Sequence, residues 1–147
     1  MQYEGPLNPL VRLEIGELYA RYAKYYDDGQ GEKFGALFTS AATFVRGPGT
    51  DPVVGRDEIV ELARSAGTPG IRHFVSNVVV DPAPGKTATG SAYVQVVTAD
   101  EEAVRLVTMG CYTDEFRYED GSWRFHLHRY DPFTGAGLRG AVLATIC

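Results

Sequence analysis

The sequence predicts an α+β domain. Three observations carry this: a long amphipathic helical stripe at the start, two shorter helical segments behind it, and a second half made of β-rich runs divided by turn signals. With helices first and a long sheet afterwards, the sheet must pack one face on the helices and leave a concavity between them.

From Leu7 to Asp28 the apolar positions Leu7, Val11, Ile15, Leu18, Tyr22 and Tyr25 recur at steps of three and four, which is one face of a helix. Gly29 and Gly31 stop it. Glu32 to Phe38 fits a short second helix, and Ala42 to Arg46 reads as a strand. A third helix fits Arg56 to Ala66, where Asp57 and Glu58 suit the positive end of the dipole and Gly67 follows the last turn. After Pro69-Gly70 come four predicted strands: Ile71 to Asp81, Ala88 to Thr98, Ala103 to Tyr118 and Ser122 to Tyr130. Pro82-Ala83-Pro84-Gly85, Ala99-Asp100-Glu101-Glu102 and Asp120-Gly121 separate them, so the second half is an antiparallel meander. The tail from Phe133 to Cys147, with Val142, Leu143 and Ile146, is too apolar for a polar random coil and is expected to close a pocket or an interface.

The 147 residues, 44% of them hydrophobic, match one domain spanning 1–147 with one sizeable core. Lys and Arg number 14 against 19 Asp and Glu, without a basic block, which argues against a nucleic-acid partner. No apolar run approaches the roughly 20 residues of a membrane span, and the first residues lack a basic and an apolar export region. A cytoplasmic protein without a membrane partner is expected. Cys111 and Cys147 have no CxxC spacing or disulfide framework, so both are expected to be reduced and non-catalytic.

Several residues carry possible chemistry. Asp27 and Asp28 fall at a helix C-terminus, where the macrodipole disfavours an anion by about 0.3–1 kcal/mol. Such a pair either faces water in the Asp-Asp-Gly loop or serves a site. His73 stands in an apolar strand, and a period of two puts Ile71, Val75, Asn77 and Val79 on its face. A lone core histidine is usually structural, unless a carboxylate fixes its tautomer and frees the other nitrogen for proton transfer. On the last strand the same period groups Arg124, His126 and His128 on one face, against Trp123, Phe125 and Leu127. Tyr22, Tyr26, Tyr112 and Tyr130, with Phe44 and Arg46, would make an aromatic wall. Buried hydroxyls need partners, so their convergence suggests a pocket holding a polar ligand or water. The three histidines show no HExxH or similar spacing, and neither a metal nor a cofactor is expected.

Tyr26-Asp27 ending the first helix, Arg72-His73-Phe74-Val75-Ser76-Asn77 opening the sheet and Asp120-Gly121-Ser122-Trp123-Arg124-Phe125 near its close resemble, in this order of elements, the SnoaL-like branch of the nuclear transport factor 2-like superfamily. The resemblance covers nearly the whole chain. It implies a cone-shaped α+β barrel, three N-terminal helices on a curved, mostly antiparallel sheet. Because the scaffold hosts cyclases, dehydratases, isomerases, epoxide hydrolases, dehydrochlorinases and binding proteins, function has to come from the pocket. Scytalone dehydratase and hexachlorocyclohexane dehydrochlorinase each use an Asp from the first helix and a His from the sheet, and Asp27 and His73 match both. Tyr26 matches the Tyr preceding that Asp in the dehydratase. Gly110-Cys111-Tyr112-Thr113-Asp114-Glu115-Phe116 is similar to a segment of the dehydrochlorinase. The chain departs from the dehydratase at Thr98, Gly110 and Tyr112, where a second histidine and a Ser-Asn pair would fall. It departs from the dehydrochlorinase near Tyr22 and His128, where a Lys and an Arg would fall.

The resemblance thus implies Asp27 and His73 as catalytic residues, with Tyr22, Tyr26, Phe44, Arg46, Asn77, Tyr112 and His128 around the substrate. The expected function is a cofactor-independent lyase or isomerase that abstracts a proton from a small hydrophobic, polyketide-like or cyclic substrate, by dehydration, cyclisation or a double-bond shift. A non-catalytic domain binding a small ligand or partner stays open. So does an epoxide-type hydrolase in which Asp and Asn hold water beside Arg46. A homodimer or higher homo-oligomer is expected, because Val94, Val96, Leu106 and Val107 make both sheet faces apolar.

Overall fold

The computed structural model describes residues 8–133. Helix α1 spans Pro9–Asp27. Asn8 caps it, its side-chain oxygen accepting the Leu10 N–H at 2.9 Å, and Pro9 fills the first helical position, where no N–H is needed. Ile15, Leu18 and Tyr22 are buried as the stripe requires, while Leu7 lies outside the described residues. Just past the helix Gly29 takes φ +65°, a conformation that costs other residues strain, and the chain turns sharply into α2, Gly31–Gly35.

α2 ends earlier than expected, because Phe38 opens strand β1, Phe38–Val45, instead of closing the helix. Pairing explains the difference: Phe38 lies beside Phe125 in a parallel ladder, and their rings stack at 5.2 Å. Strand β2, Val53–Val54, is too short to leave a periodic signal and pairs antiparallel with β1. Helix α3 occupies Arg56–Ala66 at the expected bounds, with Ile59 and Ala63 buried.

The meander follows as β3 Ile71–Ala83, β4 Thr87–Ala99, β5 Val104–Glu119 and β6 Ser122–Pro132. The six strands form one sheet in the order β2-β1-β6-β5-β4-β3, antiparallel except for β1 beside β6. Register shifts between Ser76 and Val79, at Val96/Val97 and at Glu115/Phe116 bend the long strands, as bulges do, and let the sheet curl around the helices. The α+β class and the curved sheet are those the sequence predicts. Tyr19, Phe34, Phe38, Phe116 and Phe125 fill the space between helices and sheet, each at most 1% exposed, and such burial contributes about 1.5–3 kcal/mol per side chain.

Those bulges correct two expectations of strict alternation. On β3, Asn77 takes φ +54° at the bulge and is exposed, so neither Asn77 nor Val79 shares the inner face of His73; Val80 turns inward instead. On β6, Phe125 pairs with Phe116 and Leu127 with Glu115, so His126 is the extra residue and Phe125 and His128 both face inward. Cys111 is disulfide-bonded, which corrects the expectation of reduced thiols. The apolar tail expected at the pocket or interface lies beyond the described residues, apart from Phe133, which packs against Tyr93 at 5.7 Å. Among the described residues no helix is long and apolar enough to cross a membrane.

Candidate active site

Asp27 is the last residue of α1 and is 8% exposed, an unfavourable place for an anion unless bonds offset it. Two do. Its Oδ2 accepts the backbone N–H of His73 at 2.9 Å, and its Oδ1 lies 2.5 Å from His73 Nδ1. The helix end and the start of β3 are thereby joined through one carboxylate, each bond to the charged group being worth about 1.5–3 kcal/mol. A carboxylate has no proton to donate, so the contact places the ring proton on Nδ1. In the neutral ring Nε2 then carries a lone pair, the arrangement a general base needs. Asp28, one residue on, is exposed and faces the loop.

His73 lines a cavity of about 350 Å³ together with Tyr22, Tyr26, Phe44, Arg46 and Tyr112. Ile71, Val96, Thr108 and Tyr130 complete its wall. Tyr26 meets the His73 ring edge-on at 5.4 Å and stacks on Tyr22 at 6.0 Å. The Tyr22 and Tyr112 rings meet edge-on at 5.4 Å. Burial pushes the pKa of both well up, and burial also raises that of Tyr26, with the nearby Arg46 charge opposing. All three therefore stay protonated near neutral pH and can donate to a ligand oxygen. Arg46 sits exposed at the rim, and no carboxylate among the described residues pairs with it.

Two expected site residues fall elsewhere. Asn77 lies exposed at the bulge, outside this cavity. His128 is fully buried one layer behind the wall, packed on Tyr112 at 4.4 Å, Tyr22 at 4.7 Å and Phe44 at 4.8 Å. Its Nδ1 lies 2.5 Å from Asp114, a residue the sequence reading did not single out. A signal existed: Asp114 shares parity with Tyr112 and Phe116 on β5, and both of those are buried. Thr108 was also missed, although it shares parity with Tyr112 along β5 and lines the same cavity. No group of three or more His, Cys, Asp or Glu side chains suited to a metal ion occurs among the described residues.

Similar architecture occurs in solved structures. A nuclear transport factor 2-like protein with a cystatin-like fold from Novosphingobium aromaticivorans superposes with TM-score 0.77 at 24% identity, over 86% of this chain and 84% of that one. A candidate aromatic ring hydroxylase from the same organism gives TM-score 0.75 at 25% identity, over 88% and 93%. A candidate scytalone dehydratase, again from that organism, gives 0.72 at 23% identity, over 85% and 86%. No curated protein matches the sequence. The sequence profile of the SnoaL-like domain matches residues 10–129, most of the chain, and the protein therefore belongs to the SnoaL-like family.

Proposed function

We propose that the protein is a cofactor-independent lyase or isomerase acting on a small hydrophobic substrate of polyketide-like or cyclic structure. One observation carries the reading: Asp27 holds His73 by both its ring and its backbone N–H, and the same ring borders an aromatic cavity. A domain that only binds its ligand has no need of a fixed tautomer. Structural neighbours named for dehydratase and ring-hydroxylase chemistry agree with a small-molecule enzyme.

In this reading His73 Nε2 removes a proton from carbon beside a carbonyl. The C–H electron pair moves toward the carbonyl oxygen, where the Tyr26 and Tyr112 hydroxyls donate to the growing charge, and Asp27 stabilises the imidazolium. The proton then returns to another carbon in a double-bond shift, or to a departing hydroxyl, which leaves as water. In a cyclisation the carbanion attacks a second carbonyl, whose oxygen takes the proton. An epoxide-type hydrolase is disfavoured, because Asn77, its water-holding group, lies outside the cavity. We also propose a homodimer through the sheet face away from the helices, where Phe74, Tyr93 and Leu106 are 57%, 43% and 56% exposed.

The test is turnover of a panel of cyclic β-hydroxy ketones, followed by ultraviolet absorbance of the conjugated product. His73→Ala should lower kcat/KM by about 10²–10⁴ on any substrate the protein turns over. Survival within about tenfold, roughly 1.4 kcal/mol, would show that His73 is not the base.

A further inference from the structure

Behind the cavity wall lies a second carboxylate–imidazole pair that the proposed reaction leaves unused. Asp114 on β5 and His128 on β6 are register partners, joined Oδ1 to Nδ1 at 2.5 Å, and both side chains have no exposure. The Tyr19 hydroxyl donates to the other oxygen of Asp114. Gly90, opposite Asp114 on β4, gives this arrangement its room: a Cβ there would stand 2.9 Å from the Tyr19 hydroxyl and 2.7 Å from the Phe116 ring. Both carboxylate oxygens are thus satisfied and the His128 proton is fixed on Nδ1. His128 Nε2 is left over, fully buried and without a hydrogen-bond partner among the described residues.

Packing alone does not account for this cluster. An unpartnered buried polar atom costs about 1–3 kcal/mol, and apolar residues of similar volume often replace a buried ion pair at no loss of stability. The orphaned atom's surroundings suggest its use. Across the sheet His128 lies between Asp114 on β5 and Phe44 on β1. Nδ1 is taken by Asp114, and the ring itself packs against the rings of Tyr22, Phe44 and Tyr112. These are the residues that form the inner wall of the His73 cavity.

We propose that His128 Nε2 is an inner anchor for a hydroxyl group carried on a flat aromatic or enolic ring, with Asp114 and Tyr19 as its positioning residues. A hydroxyl fits because it can donate to a nitrogen lone pair and can equally accept from an N–H. A flat ring fits because the wall is itself built of rings, which favour offset or edge-on packing. The hydroxyl reaches His128 when Tyr22 or Tyr112 turns aside. From His128 a row of rings leads to the dyad, Tyr22 at 4.7 Å, then Tyr26 at 6.0 Å, then His73 at 5.4 Å. A ring anchored at one end would present its other end to His73. The inference rests on the cavity being the ligand site, and it does not require His73 to be a base.

Calorimetric titration with 2-naphthol and its methyl ether, 2-methoxynaphthalene, tests it on the full chain. The unaltered protein should bind the naphthol at least about tenfold more tightly, since only the hydroxyl differs. That preference should fall below about twofold in His128→Phe, which refills the aromatic cluster, and should persist in His73→Ala. Equal binding of the two probes, failure to bind either, or a preference that survives His128→Phe would overturn the proposal. Loss of the preference in His73→Ala would overturn it too, by assigning the hydroxyl to the outer dyad. Should His128→Phe not fold, the ¹⁵N resonance of His128 Nε2 in the unaltered protein decides: it should move with the naphthol and stay with the ether, and no movement refutes the anchor. Unchanged turnover in His73→Ala would remove the proton-abstraction mechanism while leaving the naphthol preference in place, so the two readings fail separately.

Discussion

Replacing Asp27 with asparagine probes the dyad before any substrate is in hand. The asparagine oxygen can keep the 2.9 Å bond from the His73 backbone N–H. Its amide NH2, however, would then face Nδ1–H across the 2.5 Å contact, donor against donor. The imidazole relieves this by moving its proton to Nε2, so Nδ1 accepts from the amide and the free lone pair is lost. Both bonds survive but become neutral, each falling from about 1.5–3 to about 0.5–1.5 kcal/mol, and removing an anion from the helix C-terminus returns about 0.3–1 kcal/mol. The net loss of about 1–2 kcal/mol should lower Tm by about 2–8 °C for a chain of this size. Differential scanning calorimetry gives the shift, and ¹⁵N-detected imidazole spectra give the tautomer. In a comparable Asp–His arrangement the wrong tautomer lowers turnover by about 10⁴, so Asp27→Asn should leave binding nearly intact and abolish most activity. A Tm within about 1 °C of the parent, with His73 still protonated at Nδ1, would refute the reasoning.

Two further outcomes follow from other parts of the structure. His126 is partly buried against Thr39, its Nδ1 2.8 Å from Thr39 Oγ1, and its pKa is lowered from the ordinary 6.5 by burial first and by Arg117 next, with Glu115 and Glu119 opposing. A depressed folded pKa means that the unfolded chain binds the proton more readily, so this stability is present above about pH 6.5 and is lost as the pH falls through the folded value. The fall in Tm between pH 7 and pH 5 should accordingly be smaller in His126→Asn than in the parent, and an equal fall in both would contradict the assignment. Light scattering should give the mass of a dimer, and Leu106→Glu, which puts a charge in the exposed face, should shift it to monomer. A monomeric parent would rule out the proposed sheet-face contact.

How much of this was legible in the sequence depended on how far each signal reaches along the chain. The stripe of α1, the dipole-matched start of α3 and the turn residues between the long strands are local, and each of those elements formed close to its expected bounds. Phe38 was not legible, because its strand exists only through the parallel ladder to β6, more than eighty residues away. Asp27 and His73 were found through a resemblance to enzymes that place an Asp and a His at those positions. The dipole argument alone left Asp27 ambiguous, and only the two bonds from His73 show what offsets an anion at that helix end.

The sequence by itself therefore determined the α+β class, the order of helices before the meander, and an aromatic supply of tyrosines with a histidine among them. Tertiary structure alone decided which of these residues meet. A strand's period of two holds only until a bulge adds a residue, and the bulges at Asn77 and His126 expelled one expected ligand contact and turned His128 toward the core. The pairing of Asp114 with His128, and the hydroxyl of Tyr19 reaching Asp114 past Gly90, join four elements through register and close approach. No local pattern encodes such contacts, because they depend on where the whole sheet curls and on which side chains it brings within hydrogen-bond distance.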